Sequence, residues 1–119
     1  MRQLLDVVSD RGSKYAVTGA RAESREAVQD VLKDLKRDKK FAKATHNSWA
    51  VLLPGGTPLK GDDGEAGAGN VILRMLEREG VEGQVVVVTR WFGGKQLGGD
   101  RFRHVQTCVR AWLEAFGPV

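Results

Sequence analysis

Residues 84–100 read QVVVVTRWFGGKQLGGD. The four valines show no polar alternation, which predicts a strand covered on both faces and central in its sheet. The run ends in Arg90, Trp91 and Phe92. Two glycine pairs follow, Gly93–Gly94 and Gly98–Gly99, with Lys95 and Gln96 between them, before Asp100. Glycine permits positive φ and close backbone approach, so this connection must fold tightly or come close to something. Asp100 is expected to cap the next helix, whose free amides and dipole favour an anion, although a carboxylate there takes the donors a phosphate would use. The glycine spacing fits neither a P-loop nor a dinucleotide fingerprint.

Working outward, residues 2–8 and 14–20 are β-prone runs, and Asp10 and Gly12 between them suit a turn, so a hairpin is predicted. Ser24 fits an N-cap, and Val28, Val31, Leu32 and Leu35 recur at helical spacing, predicting an amphipathic helix over 24–39. Residues 46–53 read as a strand and 57–61 as a short edge strand. A second helix around Val71, Ile72, Met75 and Leu76 stops at Gly80. In the last helix Phe102, Val105, Val109, Trp112, Leu113 and Phe116 keep one face apolar. The order is β-β-α-β-(β)-α-β-α, an α/β (α+β) pattern without repeats or linkers, expected to form one domain over residues 1–119.

The 119 residues are 41% hydrophobic and 29% charged, values of an ordinary globular protein. No apolar run is long enough to span a membrane, and Asp6 and Asp10 interrupt the N-terminus too early for a secretory signal. The cytoplasm is the expected compartment. Cys108 is the single cysteine and only His46 and His104 accompany it, so no internal disulfide or zinc spacing exists. Cys108 flanks the apolar stripe and reads as a buried thiol. His104, beside Arg101, Arg103 and Arg110, reads as part of an exposed basic face.

The net charge is +4. Lys36, Arg37, Lys39, Lys40 and Lys43 against Asp38 sum to the same +4, so the excess of the whole chain is matched by one segment. Such a cluster attracts phosphates or acidic protein surfaces, or it complements a helix C-terminus. Lys95, Arg101 and Arg103 form a second basic group.

Asp62, Asp63 and Glu65 place three carboxylates within four residues. They can hold loop amides and pair with Arg90, or bind a hard cation through oxygen. His46 and Asn47 open a strand and are expected to face the glycine loop. Asp62, Asp63, Glu65, Arg90, Gly93, Gly94, Gly98, Gly99, Asp100, His46 and Asn47 therefore form the expected surface site, with no catalytic residue, metal or cofactor assigned.

Three segments carry a resemblance in order and spacing: KKFAKATHNSWAVLL (39–53), GDDGEAGAGN (61–70) and RWFGGKQLGGDRFRH (90–104). Together they resemble the Impact/YigZ family over about residues 12–115. The sequence is nearer the Impact side, because YigZ-type proteins usually carry DDGEPSGTAG and an LGTGGL turn. The resemblance implies a ribosomal protein S5 domain 2-like fold, a two-layer sandwich of a mixed sheet with helices packed on one face. No RWD domain and no ferredoxin-like domain accompanies the match, so a stand-alone domain is expected, and functions of those domains are not carried over.

The resemblance also implies a role in translation. Eukaryotic Impact proteins act under amino-acid starvation by binding the ribosome-associated activator of an initiation-factor kinase, and bacterial relatives are suspected of binding nucleic acid. The expected function is a non-catalytic regulator or accessory factor of translation or the stress response. Its partner is RNA, the ribosome or an acidic translation-associated protein. Lys36, Arg37, Lys39, Lys40, Lys43, Lys95, Arg101 and Arg103 would make the contact. The alternative is a small hydrolase or transferase centred on the DDGE and glycine-loop segments.

Overall fold

The computed structural model describes residues 1–117. Strands β1 (Arg2–Asp10) and β2 (Ser13–Arg21) form the predicted hairpin. Its two-residue turn has φ of 47° at Arg11 and 84° at Gly12, the doubly positive geometry whose twist matches paired strands. Helix α1 (Arg25–Arg37) starts where Ser24 Oγ accepts from the Ala27 amide at 3.1 Å. It ends two residues earlier than the 24–39 expectation. Asp38 leaves helical geometry and its carboxylate accepts from the Lys40 amide at 2.9 Å, opening a separate short helix, α2 (Lys39–Ala42). A cap competes with helix continuation, and here the cap wins.

Strands β3 (His46–Leu52) and β4 (Pro58–Gly61), helix α3 (Ala68–Glu79), strand β5 (Gln84–Trp91) and helix α4 (Asp100–Phe116) complete the fold. Gly80 closes α3 with φ of 65°, a left-handed C-terminal position that glycine takes without steric cost.

The sheet order is β1-β2-β5-β3-β4, and β5 is central as the valine run requires. Every neighbouring pair is antiparallel, which corrects the expectation of a mixed sheet. Strands β2 and β3, joined through α1 and α2, do run the same way, but β5 lies between them and pairs with both. No parallel neighbours therefore meet.

Period-two alternation divides β5 between two apolar clusters. Val86 and Val88 face α3 and α4, among Tyr15, Val17, Ile72, Leu76, Val105, Val109 and Trp112. Val85 and Val87 face the opposite side, where Val28, Leu35 and Phe41 of α1 and α2 pack. All four valines are buried, each worth about 1.5–3 kcal/mol of transfer free energy. Helices α3 and α4 thus form the main layer on one face, and the α1–α2 segment covers the central part of the other. Trp112 packs directly against the β2 backbone because Gly19 has no side chain: a Cβ there would collide with the indole.

Candidate functional site

The polar end of the α3/α4 face is built from the strand ends. Arg90 is the next inward residue of β5 after Val88, and the His46–Arg90 pairing of β3 and β5 puts the two side by side. Between β4 and α3, the chain turns through Asp62–Asp63–Gly64–Glu65. Glu65 enters the interior, where its carboxylate accepts from Arg90 Nη1 at 2.9 and 3.2 Å. The two side chains are 5% and 7% exposed, so this ion pair is buried.

His46 completes the group. Its Nε2 lies 3.0 Å from Glu65 Oε2 and its Nδ1 lies 2.8 Å from the Asp63 carbonyl oxygen. Both ring nitrogens face oxygen acceptors. An imidazolium donates to both, whereas a neutral ring leaves one nitrogen lone pair against an oxygen.

The two aspartates hold backbone. Asp62 accepts from the amides of Gly67 at 3.1 Å and Gly69 at 2.8 Å, satisfying donors at the start of α3. Asp63 accepts from the Asn47 amide at 2.7 Å, and the Ser48 hydroxyl donates to the Asp62 carbonyl at 2.8 Å. The Asn47 side chain turns to the other face of the sheet, donating to the Phe41 carbonyl and accepting from the Thr89 hydroxyl at 2.7 Å. Among the described residues, no group of three or more His, Cys, Asp or Glu side chains is placed to hold a metal ion.

The structure brings Asp62, Asp63, Glu65, Arg90, His46 and Asn47 together, and the glycine loop is linked to this group through Ser13, whose Oγ lies 3.5 Å from Arg90 Nη2 and 3.1 Å from the Gly93 amide. His46 faces the acidic turn, not the glycine loop as expected. Gly93 packs against the β1–β2 turn: a Cβ there would sit 2.0 Å from the Gly12 carbonyl carbon, and its amide donates to Ser13 Oγ at 3.1 Å. Gly94 and Gly98 have φ of 92° and 57°, which few side chains tolerate. Gly99 meets neither condition. The tight approach is thus made by one glycine of the four, to a neighbouring hairpin.

Asp100 is the first residue of α4 rather than its cap, which is Gly99. Its carboxylate pairs with Arg11 at 2.6 Å and with Arg103 at 3.2 Å, because the hairpin turn brings Arg11 to the helix start. Arg101 lies over the Phe102 ring at 4.8 Å. His104 corrects a second expectation: it is 8% exposed, not on an exposed basic face. Its Nε2 lies 2.7 Å from Asp10 Oδ2 and its ring meets Tyr15 edge-on at 5.4 Å.

Sequence reasoning missed Asp10, Arg11, Ser13 and Tyr15 as members of this polar network; for Ser13 and Tyr15 the inward period-two positions after the turn were the available signal. Arg11, and then His104, hold the Asp10 carboxyl down to about 2. Burial pushes the Tyr15 hydroxyl and the Cys108 thiol each up to about 12, so both stay neutral, and Cys108 is no nucleophile.

The basic segment is arranged differently. Lys36, Arg37, Lys39, Lys40 and Lys43 are all exposed, as are Lys95 and Arg103. Lys40 lies over the Trp91 ring at 5.2 Å from its centroid.

A central β5 flanked by antiparallel strands, a main helical layer of α3 and α4, and an acidic turn locked on Arg90 define a small α+β domain. Comparison places it in a family. The Impact N-terminal domain model matches residues 11–113, and the chain belongs to that family. It is similar to the Protein IMPACT homolog of Schizosaccharomyces pombe, 38% identical over 107 residues, covering 87% of this chain and 38% of that protein.

A crystal structure of a hypothetical protein has the same fold, with a TM-score of 0.81 at 22% identity, over 94% of this chain and 56% of the other. The two-domain translational regulator Yih1 matches with a TM-score of 0.56 at 34% identity, over 91% of this chain and 44% of Yih1. The chain spans half or less of the curated relatives it matches.

Proposed function

We propose that this domain is a non-catalytic regulator or accessory factor of translation that binds RNA or the ribosome through its exposed basic segment. The observation that carries the reading is the contrast in how charge is used. The carboxylates of the acidic turn are engaged by Arg90, His46 and backbone amides, an engagement that supports a structural role for them over the hydrolase or transferase alternative. The five cations of residues 36–43 are exposed, and one surface ion pair, Arg37 with Asp34 at 3.1 Å, offsets them locally. Exposed cations of this kind take up phosphates and release counterions. The similarity to a translational regulator supports the cellular role.

The test is affinity capture from native extract, with and without nuclease, comparing the wild type with a Lys36→Glu, Lys39→Glu, Lys40→Glu variant. Nuclease-sensitive recovery of ribosomal RNA, lost in the variant, is the expected result. A nuclease-resistant acidic protein would move the reading to a protein partner. Turnover in a substrate screen that Glu65→Gln abolishes, in a variant that stays folded, would replace it with the enzyme.

A further inference from the structure

Lysines from two distant segments meet at Trp91. Arg90 and Trp91 are consecutive in β5, so their side chains take opposite faces of the sheet. Arg90, with Tyr15 across from it, belongs to the α3/α4 face. Its guanidinium lies over the Phe92 ring at 5.5 Å, which keeps that ring on the same side. Trp91 instead packs with the α1–α2 cluster, where Phe41 meets it edge-on at 5.2 Å. Its register partner in β2 is Lys14, and residues so paired share a face, with Cβ atoms about 5 Å apart. From α2, Lys40 Nζ lies 5.2 Å from the indole centroid, and Trp91 Nε1 donates to the Lys40 carbonyl at 2.9 Å. Lys14 and Lys40 therefore gather at one indole, although 26 residues separate them in sequence.

Lys14, Lys39, Lys40 and Lys43 are all exposed, and none makes an ion pair among the described residues. Their supports are rigid. Lys14 stands in a paired strand, and α2 is held by buried Phe41 and by the Thr45 amide, which donates to the Arg90 carbonyl at 2.9 Å. The aromatic side chains at this place are used by the fold, since Phe41 is buried and Trp91 lies between it and Lys40. A protein partner draws most of its binding energy from apolar and aromatic anchors, and an unpaired base needs an open ring to stack on. This surface offers charge without either.

We propose that Lys14 joins Lys39, Lys40 and Lys43 in a phosphate-binding surface for double-helical RNA, one that holds the backbone and reads no bases. The inference rests on the RNA reading above and specifies the face of the domain, a further residue outside the basic segment and the form of the nucleic acid. Helical RNA is recognised largely through its shape and backbone, and lysine is a mobile point charge suited to phosphate. Such contacts set affinity and salt dependence and carry no sequence information.

The test is fluorescence anisotropy across a salt series with two RNA duplexes of about 16 base pairs and unrelated sequence, and with one of their separated strands. The duplexes are expected to bind equally, and more tightly than the strand. Lys14→Ala and Lys40→Ala should each lower the slope of log affinity against log salt by about 0.9 and weaken duplex binding about 5-fold at roughly 0.15 M salt, by the same factor for both sequences. Lys14→Arg keeps the charge and should bind as the wild type does. Phe92→Ala and Arg110→Ala, on the α3/α4 side, should leave binding unchanged.

Wild-type affinity and slope in Lys14→Ala would overturn the surface; loss in the Lys36→Glu, Lys39→Glu, Lys40→Glu variant would then preserve the broader RNA reading. A loss in Phe92→Ala or Arg110→Ala as large as that in Lys14→Ala overturns the choice of face. A separated strand bound more tightly than the duplexes, or a preference between the two sequences above about tenfold, overturns the backbone-only inference. A wild type that binds no form of RNA removes this inference and the RNA reading together, and a polyglutamate complex in its place would identify an acidic protein partner.

Discussion

The acidic turn at 62–65 and the basic segment at 36–43 are the two densest charge clusters of the chain, and they have opposite fates. Glu65 is buried against Arg90, and Asp62 and Asp63 hold amides of α3 and β3. In the basic segment the main polar duty is Asp38 capping α2, while the five cations point to solvent. The difference shows that a charge cluster signals a partner only after the backbone and the opposite charges inside the fold have taken their share.

The largest effect should come from the buried pair. Glu65→Ala leaves Arg90 buried without a counter-charge and should cost about 3–5 kcal/mol in urea unfolding. Replacing both partners, as in Glu65→Leu with Arg90→Met, should cost much less. Equal losses in the single and double variants would show that the pair holds the turn by more than its charge.

Asp62→Ala is expected to cost about 1–3 kcal/mol, since two amides lose their acceptor. A near-neutral result would mean that water replaces the carboxylate and that the turn is less committed to the fold than the comparison states.

The third effect is seen in acid. A carboxyl held at about 2 against an ordinary 3.8 contributes stability that is present above the higher value and lost as pH falls through the lower. Asp10→Asn should therefore melt at a lower temperature than the wild type near neutrality, with the gap closing between roughly pH 4 and 2. A gap constant across that window would show that the Arg11 and His104 contacts do not favour the ionised form.

The smallest effect on stability belongs to the basic segment. Lys39→Glu with Lys40→Glu takes the net charge from +4 to 0, a change of two per substitution, yet should alter unfolding free energy by no more than about 0.5 kcal/mol per site. A larger loss would mean that Lys40 over Trp91 serves the fold, and would erase the contrast between the two regions.

Much of this architecture was readable along the chain. The unalternating valines placed β5 at the centre, Ser24 and Gly80 marked helix ends, and helical spacing located α1, α3 and α4. The proximity of Arg90 to the DDGE carboxylates also followed from the need for a counter-charge. What was misread lay at places where local rules competed. Asp38 could continue a helix or cap a new one. Asp100 could cap α4 or pair with Arg11, 89 residues away in sequence. His104 sits among arginines in sequence but beside Asp10 and Tyr15 in space.

The sequence by itself determined the elements, the two-faced burial of β5 and the presence of two opposed charge clusters, because periodicity and capping act over a few residues. Only the tertiary structure decided that β5 inserts between β2 and β3 and makes the sheet wholly antiparallel. It alone decided that Gly93 meets Gly12, and that Phe92 stays exposed with the Arg90 guanidinium over its ring. Those outcomes depend on contacts between segments distant in sequence, whose energies are set by which surfaces remain to be covered once the core has closed.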